Sequence, residues 1–218
     1  MARITVLGGT GYAGGAIVAE AARRGHEVTS VSRTAPATET EGVEYVIGSA
    51  LDPAVLDRVV PGADVVISAL SPRGDMTGKV EGVLQELARR VDGTPTRIAH
   101  VGGASSLLVE PGGPTLWDMT VDKLPAEVKP EIQTGLDILD DLRATPESVD
   151  WFFVSPPERF GVWAPVPANG RYRLGGDVLL RDEEGESTIS AADLAVAIVD
   201  EIEHPTHHRA RFTAIREH

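Results

Sequence analysis

A β-branched run, Ile4-Thr5-Val6-Leu7, leads directly into Gly8-Gly9-Thr10-Gly11-Tyr12-Ala13-Gly14, and small and apolar residues then recur at helical spacing from Ala13 to Arg24. Gly25 stops them. Strand, glycine-rich turn and helix in that order make a site where backbone N–H groups and the positive end of a helix dipole converge on a pyrophosphate. The glycines fall three apart at 8, 11 and 14, and a G-x-G-x-x-G pattern starts at Gly9. Each has a separate task in such a turn: Gly8 permits the tight bend, Gly11 lets phosphates approach the backbone, and Gly14 lets the helix sit close to the sheet. Residues Gly8, Gly9, Thr10, Gly11, Tyr12, Ala13 and Gly14 are therefore the expected cradle of a dinucleotide.

The rest of the chain keeps the same rhythm. Strands are expected at Glu27–Ser32, Val43–Ile47, Val65–Ser68, Arg97–Val101 and Trp151–Val154, alternating with helices at Pro53–Val59, Gly78–Arg90 and Glu127–Ala144. Asp52 followed by Pro53 is a helix start, an N-cap with proline at the first helical position. This alternation specifies an α/β fold, a Rossmann-type doubly wound parallel sheet with helices on both faces. After Ser155 the rhythm breaks at Pro156, Pro157, Pro165 and Pro167, which suggests an ordered loop. A hairpin of Arg171–Leu174 with Val178–Arg181, a short pairing segment at Thr188-Ile189, a helix from Ser190 to Glu203 and a last strand at Arg209–Ala214 are expected to follow. The chain thus reads as one domain, residues 1–218: a cofactor-binding core over 1–154 and a short carboxyl-terminal, substrate-side extension over 155–218.

At the end of the second strand an acid would accept from a ribose 2′-hydroxyl and repel a 2′-phosphate. The sequence supplies Ser32-Arg33-Thr34 instead. A guanidinium pairs with phosphate oxygens in bidentate fashion and a hydroxyl can donate to them, so NADP(H) is the expected cofactor. By topology Ser49 and Ala50 face the adenine, Ala69, Leu70 and Ser71 pass the linking phosphates and inner ribose, and Val101, Gly102 and Gly103 lie beside the nicotinamide.

Composition closes other routes. The 218 residues include no cysteine, which excludes disulfides, thiolate zinc sites, iron–sulfur clusters and cysteine nucleophiles. With 20 basic against 33 acidic side chains, the net charge of −13 disfavours nucleic acid and membrane surfaces as partners. The segment before Gly8 is too short for a signal peptide, and no apolar run approaches the roughly 20 residues of a spanning helix. A cytoplasmic protein with a small-molecule substrate, monomeric or a small homo-oligomer, is expected. His204, His207 and His208 lack a completing acid or cysteine, and Asp182-Glu183-Glu184 with Glu186 reads as a solvated charge run, so no metal site is assigned. Neither a G-x-S-x-G elbow nor a P-loop occurs.

The glycine motif with Tyr12, the strand end Val65-Val66-Ile67-Ser68-Ala69-Leu70, the segment His100-Val101-Gly102-Gly103-Ala104-Ser105 and the late stretch Gly185 to Asp193 resemble the atypical short-chain dehydrogenase/reductase superfamily. More narrowly they are similar to its NAD(P)H-binding, NmrA-like and biliverdin/flavin-reductase-like proteins. The resemblance covers nearly the whole chain and implies an NADPH-dependent oxidoreductase, or a non-catalytic sensor of NADP(H). Classical members use a tyrosine four residues before a lysine as their acid. Here the three lysines, Lys79, Lys123 and Lys129, are preceded at that distance by Asp75, Met119 and Pro125. Sugar-nucleotide epimerase chemistry, which needs the same pair, ranks last.

Lys129 falls at about the expected distance after the fifth strand to hold the nicotinamide ribose, and the proton is expected from solvent or from a substitute such as Ser105 or Ser106. Without the phenol, hydride acceptors that delocalise charge before protonation, such as flavins, quinones and linear tetrapyrroles, fit better than isolated ketones. Trp117, Phe160 and Trp163 are placed to stack on such a planar substrate.

Overall fold

The computed structural model describes residues 1–218. The opening strand β1 (Arg3–Leu7) is followed by α1 (Tyr12–Arg23), β2 (Glu27–Ser32), β3 (Val43–Ile47), α2 (Pro53–Val59), β4 (Val65–Ser68), α3 (Val80–Val91) and β5 (Arg97–Val101). Then come α4 (Leu116–Thr120), α5 (Lys129–Ala144), β6 (Trp151–Ser155), β7 (Tyr172–Gly175), α6 (Ala191–Glu203) and β8 (Ala210–Arg216). One eight-stranded sheet runs β3-β2-β1-β4-β5-β6-β8-β7, parallel except for the β7–β8 pair. The chain order reverses at β1, next to β4, and open α/β sheets bind ligands at the carboxyl ends of the strands at such a point.

Side chains alternate across this sheet, so each strand feeds two cores. Trp151 and Phe153 of β6 join Leu56, Leu84, Leu87, Ile138 and Leu142 from α2, α3 and α5. On the other face Phe152 and Val154 pack with Ile17, Val18, Leu194 and Ile198 of α1 and α6, and with Phe212 of β8. The run of consecutive apolar residues in β6 follows from burial on both faces.

The boundaries differ from expectation where single residues intervene. Gly78 has φ +69°, a turn conformation, and α3 starts after it. Arg209 has φ +50° and stands outside β8. Its guanidinium donates to the carbonyls of Pro146 and Val149, at 2.7 and 2.8 Å, and to Thr145, clasping the end of α5. Those bonds offset a left-handed backbone that costs about 1–2 kcal/mol.

The expected hairpin is not formed. Tyr172–Gly175 pairs instead with β8, antiparallel, while Val178 bridges Leu108, whose N–H donates to the Asp177 carbonyl at 2.8 Å. Arg211 of β8 binds the Asp177 carboxylate and fixes the connection between the arms, while Leu180 of the second arm still lies over Gly175, within 2.8 Å of where a Cβ would stand. Thr188 bridges Arg159 and accepts from the Arg216 amide.

The proline-containing segment is fixed at both feet. It leaves β6 at Ser155, and it is caught again where Asp193, 1% exposed at the start of α6, accepts from the amides of Asn169 and Gly170. The same carboxylate accepts from the hydroxyl of Ser190, the α6 N-cap. No helix is long and apolar enough to cross a membrane.

Candidate dinucleotide site

The turn after β1 is built by its glycines. Gly8 has φ +84°, and the amides of Gly8 and Gly9 both donate to Val31 on β2, at 2.9 and 3.2 Å. A Cβ on Gly9 would meet Ser30 Oγ at 2.2 Å, and one on Gly14 would meet the Gly8 carbonyl at 2.1 Å. Gly9 and Gly14 therefore serve packing, of turn on strand and of helix on turn. The first turn of α1 starts at Gly11 with no side-chain cap, and the amides of Tyr12, Ala13 and Gly14 donate to no protein acceptor. Those are free donors at the positive end of a helix, beside a backbone that carries no Cβ at Gly11.

A cavity of about 860 Å³ opens from this turn and follows the carboxyl ends of β1, β2, β4 and β5. Gly8, Thr10, Gly11, Tyr12 and Ala13 line it, as do Ser32 and Arg33, Ser49 and Ala50, and Ala69, Leu70 and Ser71. So do Val101, Gly102, Gly103 and Ser105. Gly102 is required there by packing, since the Phe153 ring comes within 2.0 Å of its missing Cβ.

Within that lining, several details exceed the sequence reading. The Ser32 hydroxyl donates to the Thr34 carbonyl at 2.7 Å, so it shapes the bend rather than standing free. Arg33 is exposed and pairs with Asp75 at 2.6 Å, while Arg73 pairs with Glu131 of α5. The loop between β4 and α3 is thus tied across the cavity at two points, and Met76 tucks beneath it. His100, 1% exposed, forms part of the floor; burial pushes its imidazole down to about 4, so it is neutral at pH 7, and Nδ1 has no partner. Its place in β5, where Ile98 and His100 share one face, was the available signal that it points inward.

Of the proposed substrate residues, Phe160 and Trp163 line the cavity, and Phe160 meets Tyr12 of the glycine turn edge to face at 5.2 Å. Trp163 is 59% exposed at the mouth. Trp117 lies outside the lining. Leu116 and Thr120, four residues apart on α4, take that place, and Trp117 is rotated off their face. Lys129 also lies outside the lining, as the first residue of α5; that helix presents Glu131, Ile132, Gly135 and Leu136 to the cavity. The histidines near the carboxyl terminus are distributed among carboxylates, His207 on Glu201 and His208 on Asp150. Asp182 closes its own turn by accepting from the Glu186 amide at 2.7 Å.

A doubly wound sheet with a glycine cradle at its switch point defines a Rossmann-type dinucleotide-binding protein. The chain belongs to the NAD(P)H-binding family, whose model matches residues 8–205. It is 33% identical over 219 residues to the uncharacterized protein YwnB of Bacillus subtilis (strain 168), covering 99% of each chain. Among solved structures it is similar to a proposed NADH-flavin reductase from Streptococcus pneumoniae TIGR4, with 32% identity, TM-score 0.88 and full coverage of both chains. A proposed epimerase from Bacteroides thetaiotaomicron is 35% identical, with TM-score 0.83, over 100% of this chain and 99% of that one.

Proposed function

We propose that this protein is an NADPH-dependent oxidoreductase that passes hydride to a small conjugated acceptor such as a flavin or quinone. The observation that carries the reading is one continuous cavity that takes in the glycine turn, Val101 and Gly102, and the aromatic side chains of Phe160 and Trp163. A dinucleotide laid along it would meet the free amides of α1 at its phosphates. When bound, the cofactor supplies the hydride. The protein's share is to hold and orient it: Arg33 at the adenosine end, and Ala69, Leu70 and Gly103 where small or slender groups permit approach. Leu136, Ile132 and Leu116 keep water from the reacting end. The name of the S. pneumoniae neighbour supports a reductase with a flavin acceptor. The missing Tyr-x-x-x-Lys pair supports an acceptor that spreads charge before it is protonated.

That missing pair also favours a second reading, a regulatory protein that binds NADP(H) without turnover. Loss of NADPH absorbance in the presence of flavins, quinones and aldehydes separates the two. Oxidation with the conjugated acceptors is expected; tight binding with no oxidation across the panel would replace the reductase by the sensor.

Arg33 gives the cofactor preference a test. Arg33→Glu is expected to weaken NADPH binding about 10- to 100-fold, the range of one or two charge-assisted hydrogen bonds, and NADH binding by less than about threefold. Equal losses for the two in titration calorimetry would remove Arg33 from 2′-phosphate recognition.

A further inference from the structure

Ser105 and Ser106 are neighbours in the turn after β5, and both line the cavity. Their surroundings differ. Ser106 Oγ accepts from Nη1 of Arg211 at 2.8 Å, and the same nitrogen donates to the Ser106 carbonyl at 2.8 Å. Arg211 comes from β8 with its side chain 3% exposed. Its remaining donors are committed to Asp177, Nε at 2.9 Å and Nη2 at 2.6 Å from one carboxylate oxygen, and Nη2 at 3.3 Å from the carbonyl. The guanidinium is therefore locked in place, with one N–H aimed at a serine oxygen. A hydroxyl that accepts a charge-assisted bond directs its own proton elsewhere, and any alkoxide it forms is stabilised by the same bond.

We propose that Ser106 is the proton donor of the reduction and that Arg211 polarises it, the two taking the parts that a phenol and an ammonium play in the classical enzymes. This rests on the reductase reading above. The acceptor takes hydride with its electron pair from the reduced dinucleotide, which is thereby oxidised. The anion developing on the acceptor's nitrogen or oxygen then takes the Ser106 proton: the Oγ–H bond breaks, the new N–H or O–H bond forms, and the alkoxide is held by Nη1 until a solvent proton restores it. Arg211 is a positioning residue in this scheme, since it acts through Ser106.

The test is steady-state turnover of NADPH with a quinone by the intact protein and by Ser106→Ala, Ser105→Ala and Ser106→Thr. Loss of a general acid predicts a fall in kcat of about 100-fold for Ser106→Ala. KM and the calorimetric NADPH affinity are expected to stay within about twofold, because the acid acts on the transition state. Ser105→Ala, at the neighbouring hydroxyl that Arg211 does not touch, should lose less of its kcat than Ser106→Ala, and Ser106→Thr, which retains a hydroxyl, should recover at least about a tenth of it. Imidazole buffer at fixed pH should raise the Ser106→Ala rate in proportion to its concentration while leaving the unsubstituted protein unchanged, a response that a purely structural serine would not give. A Ser106→Ala rate within about threefold of the original, or the larger loss falling on Ser105→Ala, overturns the assignment while leaving the reductase intact. NADPH binding without turnover by the unsubstituted protein overturns both.

Discussion

Gly14→Ala is expected to abolish measurable NADPH binding, a loss of at least about 100-fold, and to lower the stability of the protein by about 2–3 kcal/mol. The added methyl would stand 2.1 Å from the Gly8 carbonyl oxygen and 3.1 Å from the Gly9 Cα. Both are backbone atoms of the turn itself, held by their bonds to Val31, so neither can rotate away as a side-chain end could. Helix α1 must then lift off the turn, taking with it the unpaired amides of Tyr12 and Ala13. Gly15 is the internal control. A Cβ there meets nothing closer than 3.7 Å, and alanine in a helix is favoured over glycine by about 0.5–1 kcal/mol. Gly15→Ala should accordingly melt higher and bind as before. Thermal unfolding and calorimetry on both variants decide the matter; matching behaviour would mean that the packing of α1 on the turn is not what shapes the site.

The second large effect lies at the opposite end of the strands, where Arg97 opens β5 in the interior of the sheet. Glu201, 5% exposed, bonds to Arg97 at 3.0 Å, to the Thr206 hydroxyl at 2.8 Å, to His207 Nδ1 at 2.7 Å and to the amides of Thr206 and His207 at 3.1 Å. Burial alone would push its carboxyl up, but the bonds from His207, Arg97 and Thr206 overcome that and hold it at about 2, against 4.5 for a free glutamate. A depressed carboxylate stabilises the fold above the unfolded value and loses that contribution as pH falls, here between about 4.5 and 2. The full contribution corresponds to about 3 kcal/mol, and Glu201→Gln should cost a similar amount at pH 7, since it leaves Arg97 buried with only Asp150 as a charged partner. Denaturant titrations should find the gap between the two proteins closing as the solution is acidified toward pH 2. A gap that is independent of pH would show that packing, not charge, accounts for the loss.

The parallel core was legible because its signals are local. Ile4 to Leu7 against Gly8, Asp52 against Pro53 and Ser190 before α6 each encode a boundary within a few residues. What escaped depends on partners distant in sequence. Tyr172–Gly175 followed by Gly176-Asp177 has the composition of a hairpin, and only β8, with Arg211 reaching Asp177, redirects it. Distance along the chain, which points to Lys129, and position in an overhanging segment, which points to Trp117, say nothing about the rotation of a helix; one residue's step of about 100° carries Trp117 away from the face that Leu116 and Thr120 share. Arg73, Asp75 and Glu131 attract no attention as single charges, and their pairing across the cleft is set by how the β4–α3 loop folds over it.

Because Arg159 bridges Thr188 and Asp193 grips the backbone at Asn169 and Gly170, the stretch from Phe160 to Ala168 is a bridge between two fixed piers. Its middle, at Val162 and Trp163, carries none of the sheet's weight. Lengthening such a span is cheap, about 0.6 kcal/mol for each doubling. Descendants of this chain can therefore exchange the roof above the cleft for another, and with it the molecule admitted there, while the dinucleotide floor is inherited unchanged.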